Sequence, residues 1–228
     1  MNANEGGAAA NADRNPYLAH HFMDKFQQDD AVKMGMWLFL VQELLFFGGL
    51  FMAYISMRFY YPETFLQEAT AHLDWRLGAI NTIALLTSSL TMALAVRATQ
   101  QGKQKQLVPL LGVTAVLAIV FMGIKYFEYS HKIHDGLMPG MYYAGDPLSA
   151  VEAVHHAPQI FFSVYFMMTG VHGLHVLIGV GLIGYLMWRA TKGELNENNY
   201  SFVDNVGLYW HLVDLIWIFL FPLLYLVK

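Results

Sequence analysis

The stretch from Met34 to Tyr54 reads MGMWLFLVQELLFFGGLFMAY and decides the fold. It is long enough, as a helix, to cross the roughly 30 Å hydrocarbon core of a bilayer. One carboxylate, Glu43, stands near its middle. An ionisable group at that depth costs about 2.5–3.5 kcal/mol on insertion scales for Asp, Lys or Arg, so it is expected to face protein rather than lipid. Something in the chain must receive it. The other polar residues set in apolar surroundings, His172, His175, His211 and Asp214, are the candidates.

Working outward, the 228-residue chain is 56% hydrophobic and only 13% charged, about half the charged share of a soluble domain. The abundance of Phe, Tyr, Met and Trp suits helices that face lipid and carry aromatic residues at the interfaces. A net charge of −4 gives no reason to expect a nucleic-acid partner. With no cysteine, disulfides, iron–sulfur clusters and thiolate zinc sites are excluded, and His and carboxylates are the only strong metal ligands left.

Met1 to Asn11 is small and polar and reads as a disordered tail; Asn15 to Asp30 is mixed and suits the membrane surface. Residues 1–30 hold no apolar core of a signal peptide. We therefore expect a tail and interfacial segment over 1–32 and a five-helix membrane domain over 33–228. The five apolar segments run from about Met34 to Met57, Leu77 to Val96, Leu107 to Phe127, Ile160 to Trp188 and Val206 to Val227. The fold class is all-α, polytopic. An odd number of spans puts the termini on opposite sides. Eight Lys and Arg on the N-terminal side against five on the other place the N-terminus in the cytoplasm and the C-terminus outside. On that orientation Glu128 to Ala157, with four His, is an external loop.

Small and hydroxyl residues crowd the second span (Asn81, Thr82, Thr87, Ser88, Ser89, Thr91) and glycines the fourth, so both are expected to be packing surfaces. Pro222 predicts a kink near the end of the fifth.

His172 and His175 lie three apart and share one helix face. One reading makes them, with His211 and Glu43, a haem or metal site; the other has them hydrogen-bond to neighbouring helices and to Glu43. An i, i+3 pair ligates one ion less readily than an i, i+4 pair, and the Glu-x-x-His repeats of di-iron bundles are missing. His211 and Asp214 are also three apart, as an imidazole and an orienting carboxylate or as a local packing pair. Glu128 beside Lys125 reads as an interfacial ion pair. His131, His134, His155 and His156 read as a solvated or subunit-contacting loop. His20 and His21, near Lys25 and Lys33, are placed to meet lipid phosphate or to stand plainly at the interface. A neutral carboxylic acid at Glu43 can donate one hydrogen bond to a helix-borne His or Ser. That makes it a proton relay or a polar lock between helices.

Five stretches, taken together and in order, resemble a known family: KMGMWLFLVQELLFFGGLFMAY (Lys33 to Tyr54), NTIALLTSSLTMALA (Asn81 to Ala95), KYFEYSHKIHDG (Lys125 to Gly136), SVYFMMTGVHGLHVLIG (Ser163 to Gly179) and LYWHLVDLIWIFLF (Leu208 to Phe221). The chain resembles subunit III of haem-copper oxygen reductases, the cytochrome c oxidase subunit III family. The resemblance implies a non-catalytic membrane subunit without a redox centre of its own, packed beside subunit I, with haem and copper in partner subunits. Cytochrome c or quinol would be met only through those partners. It implies that Glu43 is the family's buried, carbodiimide-reactive carboxylate and that His20 and His21 contact bound phospholipid. His172, His175, His211 and Asp214 correspond to packing and hydrogen-bonding positions. Seven-helix members carry two further N-terminal helices; residues 1–33 cannot span, so the resemblance is to the five-helix bacterial type, in the plasma membrane.

Overall fold

The computed structural model describes residues 22–139, 158–195 and 200–226. Among these, six helices and no β-strand occur, and five of the helices are long and apolar enough to cross a membrane. They are α1 (Lys25–Tyr60), α2 (Pro62–His72), α3 (Trp75–Gln100), α4 (Gln104–His134), α5 (Pro158–Thr191) and α6 (Ser201–Phe221), the last continuing as a π-helical turn over Pro222–Leu226.

Local capping carries α1 and α4 beyond their apolar runs. α1 begins at Lys25, nine residues before the apolar stretch, because the Asp24 carboxylate accepts from the Gln27 amide at 2.7 Å while the Gln27 side chain accepts from the Met23 amide at 3.0 Å. These bonds satisfy donors that a helix start leaves orphaned. At 36 residues it is about 54 Å long, so it must tilt or project beyond the hydrocarbon. α4 likewise runs to His134, which corrects the reading of Glu128 to Ala157 as loop. Residues 128–134 are helical, and His155 and His156 lie outside the described residues. The helix stops where Gly136, at φ 70°, lets Leu137 N–H return to the Lys132 carbonyl at 3.0 Å, a left-handed closure that glycine adopts without strain. The short α2 was not expected from the sequence. Proline at its first position starts it, and buried Phe65 meets Tyr54 and Phe161 edge-on.

Packing follows from spacing. α3 buries Gly78, Asn81, Leu85, Ser88, Met92 and Ala95, a single stripe at three- and four-residue intervals. α6, the most central helix, brings Trp210 and Trp217 into the core, and their indole N–H groups donate to Ser88 and Thr82 of α3, both at 3.1 Å. Gly179 of α5 permits the Trp210 ring so close that a Cβ there would lie 2.6 Å from it.

α1 is different. It buries only Glu43, Phe47 and Tyr54, which fall on one narrow face, while Leu45 is 72% exposed. At the terminal turn, Tyr54 donates to the Leu223 carbonyl at 2.6 Å, supplying a partner to a carbonyl in the last turn of the helix.

Candidate functional site

Two buried polar groupings stand inside the bundle. The first joins α1 to α5. His175 Nε2 lies 3.1 Å from Glu43 Oε2, and its Nδ1 lies 2.8 Å from the Val171 carbonyl, one turn back. A carbonyl only accepts, so Nδ1 must carry a hydrogen and donate. Nε2 and Glu43 then share a single proton: either the imidazolium donates to the carboxylate or the carboxylic acid donates to the ring. Both forms are neutral as a pair, which suits a pair whose side chains are only 15% and 10% exposed. Phe47 packs edge-on against the ring at 5.1 Å, and Tyr209 of α6 donates to the His175 carbonyl at 3.0 Å.

The other three positions go elsewhere. His172 is fully buried, stacked on Trp217 with centroids 5.2 Å apart and edge-on to Phe121 at 5.7 Å, and neither ring nitrogen has a hydrogen-bond partner. It packs rather than bonds. His211 Nδ1 lies 2.7 Å from the Ser89 hydroxyl of α3. Asp214 is buried, but its carboxylate is not bonded to the His211 ring, so the orienting pair suggested by their spacing does not form. His172, His175 and His211 thus have three separate neighbourhoods and do not fit a haem or copper shell. Among the described residues no three His, Asp or Glu side chains gather as metal ligands. His20 and His21 lie outside the described residues.

The second grouping contains the expected Lys125–Glu128 pair and shows that it is buried and joined by further partners. Lys125, Glu128 and Lys132 occupy one face of α4 at i, i+3 and i+7, and all three are nearly enclosed. Glu128 accepts from Lys125 at 3.0 Å, Lys132 at 3.1 Å, Tyr165 of α5 at 2.8 Å and Tyr225 of the terminal turn at 2.6 Å. Lys125 also donates to the Tyr225 hydroxyl at 2.7 Å. Two ammonium groups face one carboxylate. The surplus charge is met by aromatic faces: Lys125 Nζ lies 4.9 Å from the Trp217 ring centroid and within 6 Å of Tyr129, Tyr165 and Tyr225. The sequence signal was present in the repeat of charges along one helical face. What hid its depth is that the enclosing phenols lie 37 and 97 residues further on.

Fold and site define a class: a five-span integral membrane protein whose Glu43–His175 pair and Lys125–Glu128–Lys132 cluster are engaged in contacts between its own helices. Comparison with known proteins narrows it. The family model described as cytochrome c oxidase subunit III matches residues 16–158 and 150–228. A probable quinol oxidase subunit 3 of Staphylococcus saprophyticus is 30% identical over 86% of this chain and 88% of its own. A cytochrome c oxidase subunit 3 of Synechocystis is 33% identical over 87% and 76%. A heme-copper oxidase subunit I+III of Aeropyrum pernix is 34% identical over 87% of this chain and 23% of its own. The chain belongs to the cytochrome c oxidase subunit III family, and so is a subunit III of a haem-copper oxidase.

Proposed function

We propose that the chain is a non-catalytic subunit that stabilises subunit I of a terminal oxidase, sustains its proton uptake and holds phospholipid, while haem and copper in partner subunits reduce oxygen to water. The observation that carries this reading is how α1 is attached. A narrow apolar face around Phe47 packs on the bundle, and beside it Asp29 accepts from Ser201 at 2.7 Å, Glu43 pairs with His175, and Tyr54 donates to Leu223. In a bilayer no hydrophobic force pulls helices together, so such polar staples and close packing decide whether a peripheral helix stays in place. Glu43 is the staple at mid-membrane. The fused arrangement named in the Aeropyrum relative supports subunit I as the main neighbour. Electrons from cytochrome c or quinol reach the complex through other subunits. The excess of basic residues on the N-terminal side supports a bacterial plasma membrane location with the N-terminus cytoplasmic.

Glu43→Ala tests this in the assembled oxidase. The initial rate of oxygen reduction is expected to stay near that of the parent, whereas complex yield or the number of turnovers before inactivation falls several-fold. Complete loss of haem reduction in a fully assembled variant would overturn the reading.

A further inference from the structure

The α3–α4 hairpin carries a cavity of about 620 Å³ that neither polar grouping uses. Its rim is basic: Arg97, Lys103 and Lys105 line it, and no Asp or Glu does. α4 starts at this point with no acidic residue in its first turn, which adds the positive end of the helix dipole. Two basic residues near the C-terminal end of α5, on the same side of the membrane, are already engaged. Arg189 bonds Glu194 at 2.8 Å, and Lys192 sits 3.6 Å over the Trp188 ring. Below the rim the wall becomes apolar, with Leu94 and Val113 exposed at 42% and 46%. From Lys103 to Val113 is about 15 Å along α4, half the depth of a hydrocarbon core.

We propose that this cavity is a binding site for an anionic phospholipid, with its headgroup phosphate among Arg97, Lys103 and Lys105 and an acyl chain along Leu94, Leu110 and Val113. A soluble phosphate would leave the apolar wall unused, and a neutral lipid would leave three cations without a counter-charge. Each basic residue near an anionic headgroup strengthens binding by about fivefold, so the three together supply on the order of a hundredfold. The site deepens the lipid-holding part of the proposed function and rests on it, with Arg97, Lys103 and Lys105 as its cations.

The test uses the oxidase complex containing the full chain, in nanodiscs doped with photoactivatable phosphatidylglycerol or with phosphatidylcholine bearing the same tails, followed by peptide mass spectrometry. Phosphatidylglycerol is expected to label residues 94–113 at least about tenfold more than phosphatidylcholine, and excess inorganic phosphate should not compete. Arg97→Gln/Lys103→Gln/Lys105→Gln should abolish the preference. Val113→Trp, which fills the tail groove and keeps every charge, should abolish the label while leaving insertion intact. Equal labelling by both lipids, competition by inorganic phosphate, or an unlabelled hairpin overturns the site. Lipid co-purifying with the complex separates the two failures: if it is retained while 94–113 shows no preference, this site alone fails. If none co-purifies, the wider lipid reading fails with it.

Discussion

Replacing Glu128 by Gln keeps the shape of the side chain and removes the only carboxylate among the groups that meet there. Lys125 and Lys132 are then left as two buried ammonium groups without a counter-ion, and Tyr165 and Tyr225 lose a charged acceptor. Breaking a buried pair by deleting one partner costs about 3–5 kcal/mol, because the abandoned charge stays desolvated. For a chain of this size that is roughly a 6–20 °C fall in melting temperature. Lys132→Gln is the comparison. It leaves Lys125 and Glu128 as a balanced pair and removes one charge-assisted hydrogen bond, about 1.5–3 kcal/mol. A third variant, methionine at 125, 128 and 132 together, removes all three charges and should lie within about 1 kcal/mol of the parent or above it, since apolar replacement of a whole buried network is often neutral or stabilising. Far-UV circular dichroism melts of the detergent-purified chain measure all three. If Glu128→Gln melts no lower than Lys132→Gln, or if the triple methionine variant is as damaged as Glu128→Gln, uncompensated charge is not what these residues avoid.

Gly179→Ala puts a methyl group 2.6 Å from the buried Trp210 ring and should cost about 1–3 kcal/mol of thermal stability, with Gly173→Ala, which meets nothing, as the harmless control. Outside the spans, burial pushes the Glu68 carboxyl above its ordinary value of 4.5 while His72 opposes the shift. A carboxyl raised in the fold contributes stability below its unfolded value and loses it as pH rises through the folded one. Glu68→Gln should therefore flatten the decline in melting temperature just above pH 4.5. The isolated chain should show no Soret band after reconstitution with haem, because His172, His175 and His211 do not converge; a persistent band after removal of all partners would restore the metal reading.

The five spans are legible in the sequence because a bilayer imposes length and apolarity on each segment whatever its neighbours. Helix ends are not, because they are decided by local caps: Asp24 starts α1 in polar sequence, and Gly136 ends α4 well past its apolar run. Glu43 announces itself as a residue in need of a partner. That the partner is His175 rather than His172, one turn away, depends on how α1 and α5 cross, which no periodicity encodes. Glu128 is harder still. A charge near the end of an apolar run looks the same whether it snorkels to water or is capped by phenols, and only the return of the chain at Tyr225 distinguishes the two.

That return also explains why α1 needs polar anchors at all. Three of its polar contacts, at Asp29, Glu43 and Tyr54, are spaced by about 21 and 17 Å along the axis and lie on one face. Much of the rest of its surface is apolar and exposed, so lipid or a neighbouring subunit competes on equal terms for outward side chains such as Leu38, Leu44 and Leu45. A hydrogen bond does not face that competition, since hydrocarbon offers no alternative partner to Glu43 or Tyr54. A carboxylate at mid-membrane is thus costly to insert but selective once placed: it specifies which helix α1 must find and at what height, and leaves the opposite face free for subunit contacts.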